Sequence, residues 1–277
     1  MTATTVMSKR STAATGGTPA LVLVAHGSRD PRALSTVRAL LDRVRALRPA
    51  LPVHLGHIEL NAPLLPDTLA ALGDGEAVLV PLLLSRGHHV GRDIPEMAAE
   101  SPARTRVAAP LGPHPLLVDA LQDRLLEAGW PAHAGPDHAV VLASAGSRAP
   151  DSAADTARTA TLLAARLGVP VLPAYASASS PTVPEAVRAL TARGHRRVAV
   201  ASCFTAPGRF ATECAAAAPW IASAPLGTHP AMARLLLHRY DSAAEGARAV
   251  SNRGSAERAR PATAGPAPAR QPRPAHA

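Results

Sequence analysis

The chain has 277 residues, 47% of them hydrophobic but only 2% aromatic, and carries a formal net charge of +9. This length suits two ordinary domains, and no apolar run reaches the ~20 residues a membrane-spanning helix needs. The scarcity of aromatic side chains argues against a stacking surface for single-stranded nucleic acid, and the basic balance fits an acidic small molecule better than nucleic acid or a membrane.

Met1 to Gly17 is small and polar and lacks the apolar stretch of a secretory signal. The protein is therefore expected in the cytoplasm, with residues 1–18 disordered. Leu21–Ala25 reads as the first strand and runs into His26-Gly27-Ser28. Asp30 followed by Pro31 marks a helix start, and Leu34, Val37, Leu40, Leu41, Val44 and Leu47 recur at helical spacing. Val53–Leu60 is the second strand and delivers Glu59, and Pro63–Leu72 is the second helix. Val78–Leu84 is continuously apolar, as expected of a strand buried on both faces, and leads into Ser85-Arg86-Gly87-His88-His89. Asp93-Ile94-Pro95-Glu96 has the pattern of a capping box. Arg106–Leu111 and Leu116–Leu126 complete a unit over residues 19–134. Alternating strands and helices predict an α/β fold, a parallel sheet with helices on both faces.

The same order restarts at His138. Ala145-Gly146-Ser147-Arg148 stands where His26-Gly27-Ser28-Arg29 stood, and Ser179-Ser180-Pro181 echoes Asn61-Ala62-Pro63. Pro225-Leu226-Gly227-Thr228-His229-Pro230 echoes Pro110-Leu111-Gly112-Pro113-His114-Pro115. A repeat of this length predicts two similar domains, residues 19–134 and 135–241, rather than a solenoid. The boundary falls near the Gly/Pro/Ala-rich stretch Gly129–Pro136. Residues 242–277 read as a disordered tail of Pro, Ala and Arg, with too little histidine for metal storage.

Ligands of parallel sheets bind at the edge shared by the strand ends, and His26, Glu59 and His89 each follow a strand. In the second half their counterparts are Ala145, Ser177 and Phe210. Three ionisable groups are replaced together while the glycines, prolines and serines around them persist, so one half is expected to work and the other to support it. On that reading Phe210 serves stability rather than chemistry.

Imidazole and carboxylate suit ions such as Fe2+, Co2+, Ni2+ and Zn2+. Two His and one Glu fall short of a closed structural zinc site and leave positions for a substrate, and a histidine can accept a proton near neutral pH. If the segment is extended, only one of His88 and His89 points inward. His57 shares a face with Glu59 and is either a fourth contributor or a core histidine. His114 and His229 occur in both halves and read as structural residues at loop–helix junctions. Capping accounts for Asp93 and Glu96. Arg29, Arg86 and Arg92 are either solvated or clamps for a polyanion. Cys203 and Cys214 form no C-x-x-C, are too few for an iron–sulfur cluster, and read as ordinary small side chains.

Three stretches together resemble the sirohydrochlorin chelatases of the CbiX/SirB type: Val24-Ala25-His26-Gly27-Ser28-Arg29-Asp30-Pro31, Ile58-Glu59-Leu60-Asn61-Ala62-Pro63, and Pro81 through Gly87-His88-His89-Val90-Gly91-Arg92-Asp93-Ile94-Pro95. The resemblance runs from about Leu21 to Tyr240 and is to the long, internally duplicated form. It implies two flavodoxin-like or Rossmann-like domains with parallel sheets facing a central cleft. The family histidine directly precedes Val or Thr and stands four before Asp-Ile-Pro, which selects His89.

The implied reaction is insertion of Fe2+ into sirohydrochlorin to give sirohaem, with Co2+ insertion toward cobalamin as the alternative. His26, Glu59 and His89 are then catalytic and metal-handling, and Ser28, Arg29, Arg86 and Arg92 hold a carboxylate-rich macrocycle. The metal is a substrate, so no permanent cofactor is implied, and the expected partners are sirohydrochlorin and a divalent metal. A monomer or weak homo-oligomer is expected. A metal or tetrapyrrole carrier, or a metal-dependent hydrolase, would use the same cleft.

Overall fold

Two hydrophobic patterns set the architecture of this computed structural model, which describes residues 18–258. The first is the wholly buried strand. β1 (Ala20–Ala25) and β5 (His138–Ser144) are buried at every position, as central strands covered on both faces must be. The second is the one-sided helix. α1 (Pro31–Leu47) buries Ala33, Val37, Leu40, Leu41 and Val44, and the Asp30 carboxylate accepts the backbone N–H of Arg32 at its start.

The first half orders its parallel strands β2-β1-β3-β4, with β2 at Val53–His57, β3 at Glu76–Pro81 and β4 at Arg104–Val107. Helices α2 (Leu65–Ala71), α3 (Ile94–Ala99) and α4 (Pro115–Glu127) cover it. The second half orders β6-β5-β7, with β6 at Val171–Tyr175 and β7 at Arg197–Ser202. It carries α5 (Pro150–Leu167), α6 (Val183–Ala192), α7 (Arg209–Ala216) and α8 (Pro230–Arg258). Where the first sheet has β4, the second has a single bridge between Val200 and Ala222. This is the expected fold, two similar parallel α/β halves.

The halves share one hydrophobic core. Leu21, Leu23 and Leu121 of the first pack in the same cluster as Val140, Leu142, Leu163 and Leu236 of the second, and the described residues up to Ala244 form one compact unit. The stretch expected to separate them carries Trp130, which is buried against His138 and Trp220. Polar ties reinforce the seam. The Arg48 guanidinium donates to Asp241 at 2.6 and 2.9 Å, and the Tyr240 hydroxyl donates to the Pro19 carbonyl at 2.6 Å.

Several element ends differ from the sequence reading. β2 stops at His57, not Leu60, because Glu59 to Asn61 turn sharply: Leu60 has φ of 66° and the Asn61 N–H bonds the Glu59 carbonyl at 2.8 Å. β3 stops at Pro81, whose ring ends the ladder on that side. α8 passes straight through Ser242, so the expected start of the tail falls inside a helix. Residues 1–17 and 259–277, including most of that tail, lie outside the described residues. Among the described residues no helix is long and apolar enough to cross a membrane.

Cys203 and Cys214 are free, buried thiols, and burial pushes both up to about 11. At neutral pH neither is a thiolate, the form that reacts. Iodoacetamide at pH ~7.5 should leave both unlabelled in the native protein and label both after unfolding. Rapid labelling of Cys203 in the folded protein would contradict its position in the core.

Candidate active site

The duplicated turns explain how the first half presents its polar side chains. After β1 the chain needs a left-handed residue, and Gly27 has φ of 103°; after β5, Gly146 has φ of 87°. Each lies against the next strand's turn, so a Cβ there would sit 1.9 Å from the carbonyl oxygen of Glu59 or Ser177. The Glu59 N–H donates to the His26 carbonyl at 3.0 Å, and Ser177 to Ala145 likewise at 3.0 Å. The same frame thus holds His26 beside Glu59 in one half and Ala145 beside Ser177 in the other.

His26 Nδ1 lies 3.5 Å from Glu59 Oε1, both side chains about half exposed. The His26 and His89 rings meet edge to face with centroids 4.6 Å apart. The structure therefore brings all three predicted residues to one edge, with His26 in the middle. Among the described residues, however, no three His, Cys, Asp or Glu side chains form a ready-made metal-holding group.

Two cavities meet at His26. The larger, about 1200 Å³, is lined by Gly27, Ser28, Arg29, Glu59, Phe204 and Arg209 among others. It exceeds the ~300–1000 Å³ usual for small ligands. The smaller, about 350 Å³, is lined by His88 and His89 and by hydroxyls from the second half, including Ser147 and Ser152. Phe210 lines both. It is half-buried in the wall, with the Arg209 guanidinium 4.6 Å above its ring. Phe210 is expected to matter more for stability than for chemistry, and it stands in the cavity wall.

The four residues expected to hold a substrate divide. Arg29 is exposed and lines the larger cavity, as does Ser28. The Ser28 hydroxyl accepts the Asp30 N–H at 3.0 Å, and its own N–H donates to Asn61 Oδ1 at 2.7 Å. Arg86 is elsewhere engaged: its guanidinium and its backbone N–H all donate to Asp155 of α5, at 2.7 to 3.2 Å. Burial alone would raise the Asp155 carboxyl, but these Arg86 contacts hold it below the ordinary value. Ser85 adds a hydroxyl contact to Ser152 at 2.9 Å. Arg86 therefore ties the histidine loop to the second half instead of lining a cavity. Arg92 donates to Glu96 at 2.8 Å and also lines neither.

The expected capping box at Asp93–Glu96 does not form. Asp93 makes no side-chain cap; its carboxylate lies 2.6 Å from His89 Nδ1 and 3.3 Å from His88 Nε2. The doublet is not extended either. His88 has helical backbone angles and His89–Asp93 is a π-helical turn, so both imidazoles reach one carboxylate instead of alternating. The sequence reading missed Asp93 because Asp-Ile-Pro-Glu satisfies a capping pattern so well. It missed Arg209 because that residue aligns with His88 and matches it in nothing but position.

His114 and His229 do serve as loop–helix junctions, each accepting a backbone N–H two residues on, at 3.1 and 3.2 Å. His57 is 1% exposed and borders the larger cavity, and its Nδ1 lies 3.1 Å from the Pro63 carbonyl. Its Nε2 has no protein partner. Burial lowers the His57 and His114 imidazoles below their ordinary value. Below about pH 6.5 the unfolded chain therefore takes up protons that the folded one refuses, and stability falls with pH. The urea midpoint should drop between about pH 7.5 and 5.5, and His57→Phe should flatten part of that slope. An unchanged slope in the variant would exclude His57 as a contributor.

Comparison with known proteins agrees with the duplication. The profile of the CbiX family matches residues 20–128 and again 139–243. A sirohydrochlorin cobaltochelatase of Methanococcus maripaludis is 36% identical over 81 residues, 28% of this chain and 56% of the relative. The chloroplastic sirohydrochlorin ferrochelatase of Arabidopsis thaliana is 28% identical over 118 residues, 40% of this chain and 52% of the relative. These matches span little more than half the length of either relative. The solved structure of SirB from Bacillus subtilis with Fe3+ superposes with a TM-score of 0.71 at 25% identity, covering 83% of this chain and 97% of that one.

Proposed function

This chain belongs to the CbiX family, and from that premise we propose that it is a sirohydrochlorin chelatase that inserts Fe2+ to make sirohaem, with Co2+ insertion as the alternative. The observation that carries the reading is the His26–His89 pair at 4.6 Å, flanked by Glu59 and opening on a cavity of about 1200 Å³. Metallation exchanges two pyrrole N–H protons for one divalent ion. It needs a site that binds the ion, gives it up and accepts protons. Two imidazoles and a half-exposed carboxylate do this better than a closed four-ligand site, which would retain the metal.

The larger cavity suits a carboxylate-rich macrocycle. Arg29 and Arg209 stand in its lining as carboxylate partners, and Ser28 contributes to the same wall. Phe204 and Phe210 add apolar lining to the same cavity. Arg86 and Arg92 support the loop and helix of the histidine doublet instead. The metal is a substrate, so no resident cofactor is proposed. The named relatives include both a cobaltochelatase and a ferrochelatase, and imidazole with carboxylate accepts both ions. We place the protein in the cytoplasm as a monomer or weak homo-oligomer.

The test is metal competition: purified protein, sirohydrochlorin, and Fe2+ or Co2+, followed by absorption of the macrocycle. Acceleration over the spontaneous reaction is expected with both ions and greater with Fe2+. Metal or macrocycle binding without acceleration would favour a carrier. Phosphatase activity independent of tetrapyrrole would favour a hydrolase.

A further inference from the structure

We propose that Asp93 is a positioning residue that fixes His89 in the tautomer protonated on Nδ1, so that Nε2 keeps a lone pair for the metal or for a proton. A carboxylate only accepts hydrogen bonds, and a neutral imidazole carries one N–H. With Asp93 Oδ2 at 2.6 Å from His89 Nδ1, the proton belongs on Nδ1. The other oxygen meets His88 Nε2 at 3.3 Å. One carboxylate thus stands beside different nitrogens of the two rings and is hydrogen-bonded to His89 alone.

Two observations on the second half support this independently of the contact. Its counterpart of His89 is Phe210, and its counterpart of Asp93 is Cys214, a buried free thiol. Carboxylate and imidazole are replaced together. α7 nonetheless runs from Arg209 to Ala216 with that cysteine inside it, so the helix does not require an acid at this position, and in the first half Asp93 makes no cap. A carboxylate on the far nitrogen of a working histidine sets its orientation and basicity, and removing such a partner typically lowers metal affinity or activity ~10–100-fold.

The proposal rests on the chelatase reading for what Nε2 does, but not for the tautomer itself. The first experiment therefore uses the full chain, free of metal and tetrapyrrole, with nitrogen-15-labelled histidine. At about pH 8, where an ordinary imidazole is neutral, two-bond correlation spectra report which nitrogen of His89 is protonated. We expect Nδ1–H in the wild type and a shift toward Nε2–H in Asp93→Ala. Nε2–H in the wild type, or an unmoved tautomer in the variant, overturns the proposal.

The second experiment compares kinetics. Asp93→Asn and Asp93→Ala should lower kcat about 10–100-fold while KM for sirohydrochlorin stays within about twofold, because the macrocycle's other contacts remain. A full-speed Asp93→Ala enzyme, or a loss confined to KM, also overturns it. The expected tautomer in a wild type that metallates nothing would instead reject the chelatase reading alone. Should the alanine variant fold poorly, Asp93→Leu keeps about the size, removes the acceptor and replaces it in both measurements.

Discussion

Replacing His26 or His89 by alanine is expected to slow sirohydrochlorin metallation by about 10²–10⁴-fold, the usual worth of a positioned proton acceptor, while the protein stays folded. The fold survives because neither ring is part of the core: the side chains are 43% and 34% exposed. The chemistry does not, because the two imidazoles stand in contact and each has a different polar neighbour, Glu59 for His26 and Asp93 for His89. Losing His89 removes the lone pair that Asp93 orients. Losing His26 removes an imidazole that lines both cavities. Initial rates on wild type, both single variants and the double variant decide the matter, with near-ultraviolet circular dichroism as the check on folding. Wild-type turnover in the double variant would sink the site assignment. A double variant no worse than either single one would mean that the two rings act as a unit.

The largest effects on stability are expected from Gly27→Ala and its twin in the second half, with Gly27 at the histidine turn. The residue has φ of 103°, and a Cβ would stand 1.9 Å from the Glu59 carbonyl oxygen. Backbone has no rotamer by which to yield, so the turn, the His26–Glu59 hydrogen bond and the end of β2 must shift. A loss of about 2–4 kcal/mol follows from such strain. Gly168→Ala separates conformation from collision: it also has positive φ, 68°, but nothing lies within 4 Å of its Cβ position, so it should cost only about 1 kcal/mol. Gly146→Ala meets the same obstacle as Gly27, at the Ser177 carbonyl, and should cost as much stability. It disturbs Ala145 and Ser177 instead of His26 and Glu59, so the protein that remains folded should keep its turnover. Equal urea midpoints for Gly27→Ala and Gly168→Ala would refute the argument.

Much of this was legible in the sequence, and the rest failed for identifiable reasons. Apolar runs without alternation gave the central strands, and Asp30-Pro31 gave a helix start that forms as expected. The duplication isolated His26, Glu59 and His89 by contrast with Ala145, Ser177 and Phe210. What stayed hidden were contacts between segments far apart in the chain. Arg86 has no local acid to reveal that its partner is Asp155. Arg209 gains meaning only because the second half's wall faces the first half's histidines. Asp93 was misassigned for the opposite reason: a sufficient local explanation masked a partner on the same turn. His88 and His89 were placed on extended backbone, and the π-helical turn changed which of them could meet a common carboxylate.

The attachment of the Ser85–Arg86 loop to α5 has a mechanical consequence. Ser152 and Asp155 belong to the half without ionisable counterparts of the working residues, yet they anchor the segment just ahead of the histidine doublet. His26 and Glu59 are anchored through Gly27 and Asn61 in the other half. Both imidazoles belong to the first half, but the segment leading to His89 is pinned in addition to α5 of the second. Cutting the Asp155 anchor should therefore loosen the segment ahead of His89 while the turn under His26, held by Gly27 and Asn61, stays in place.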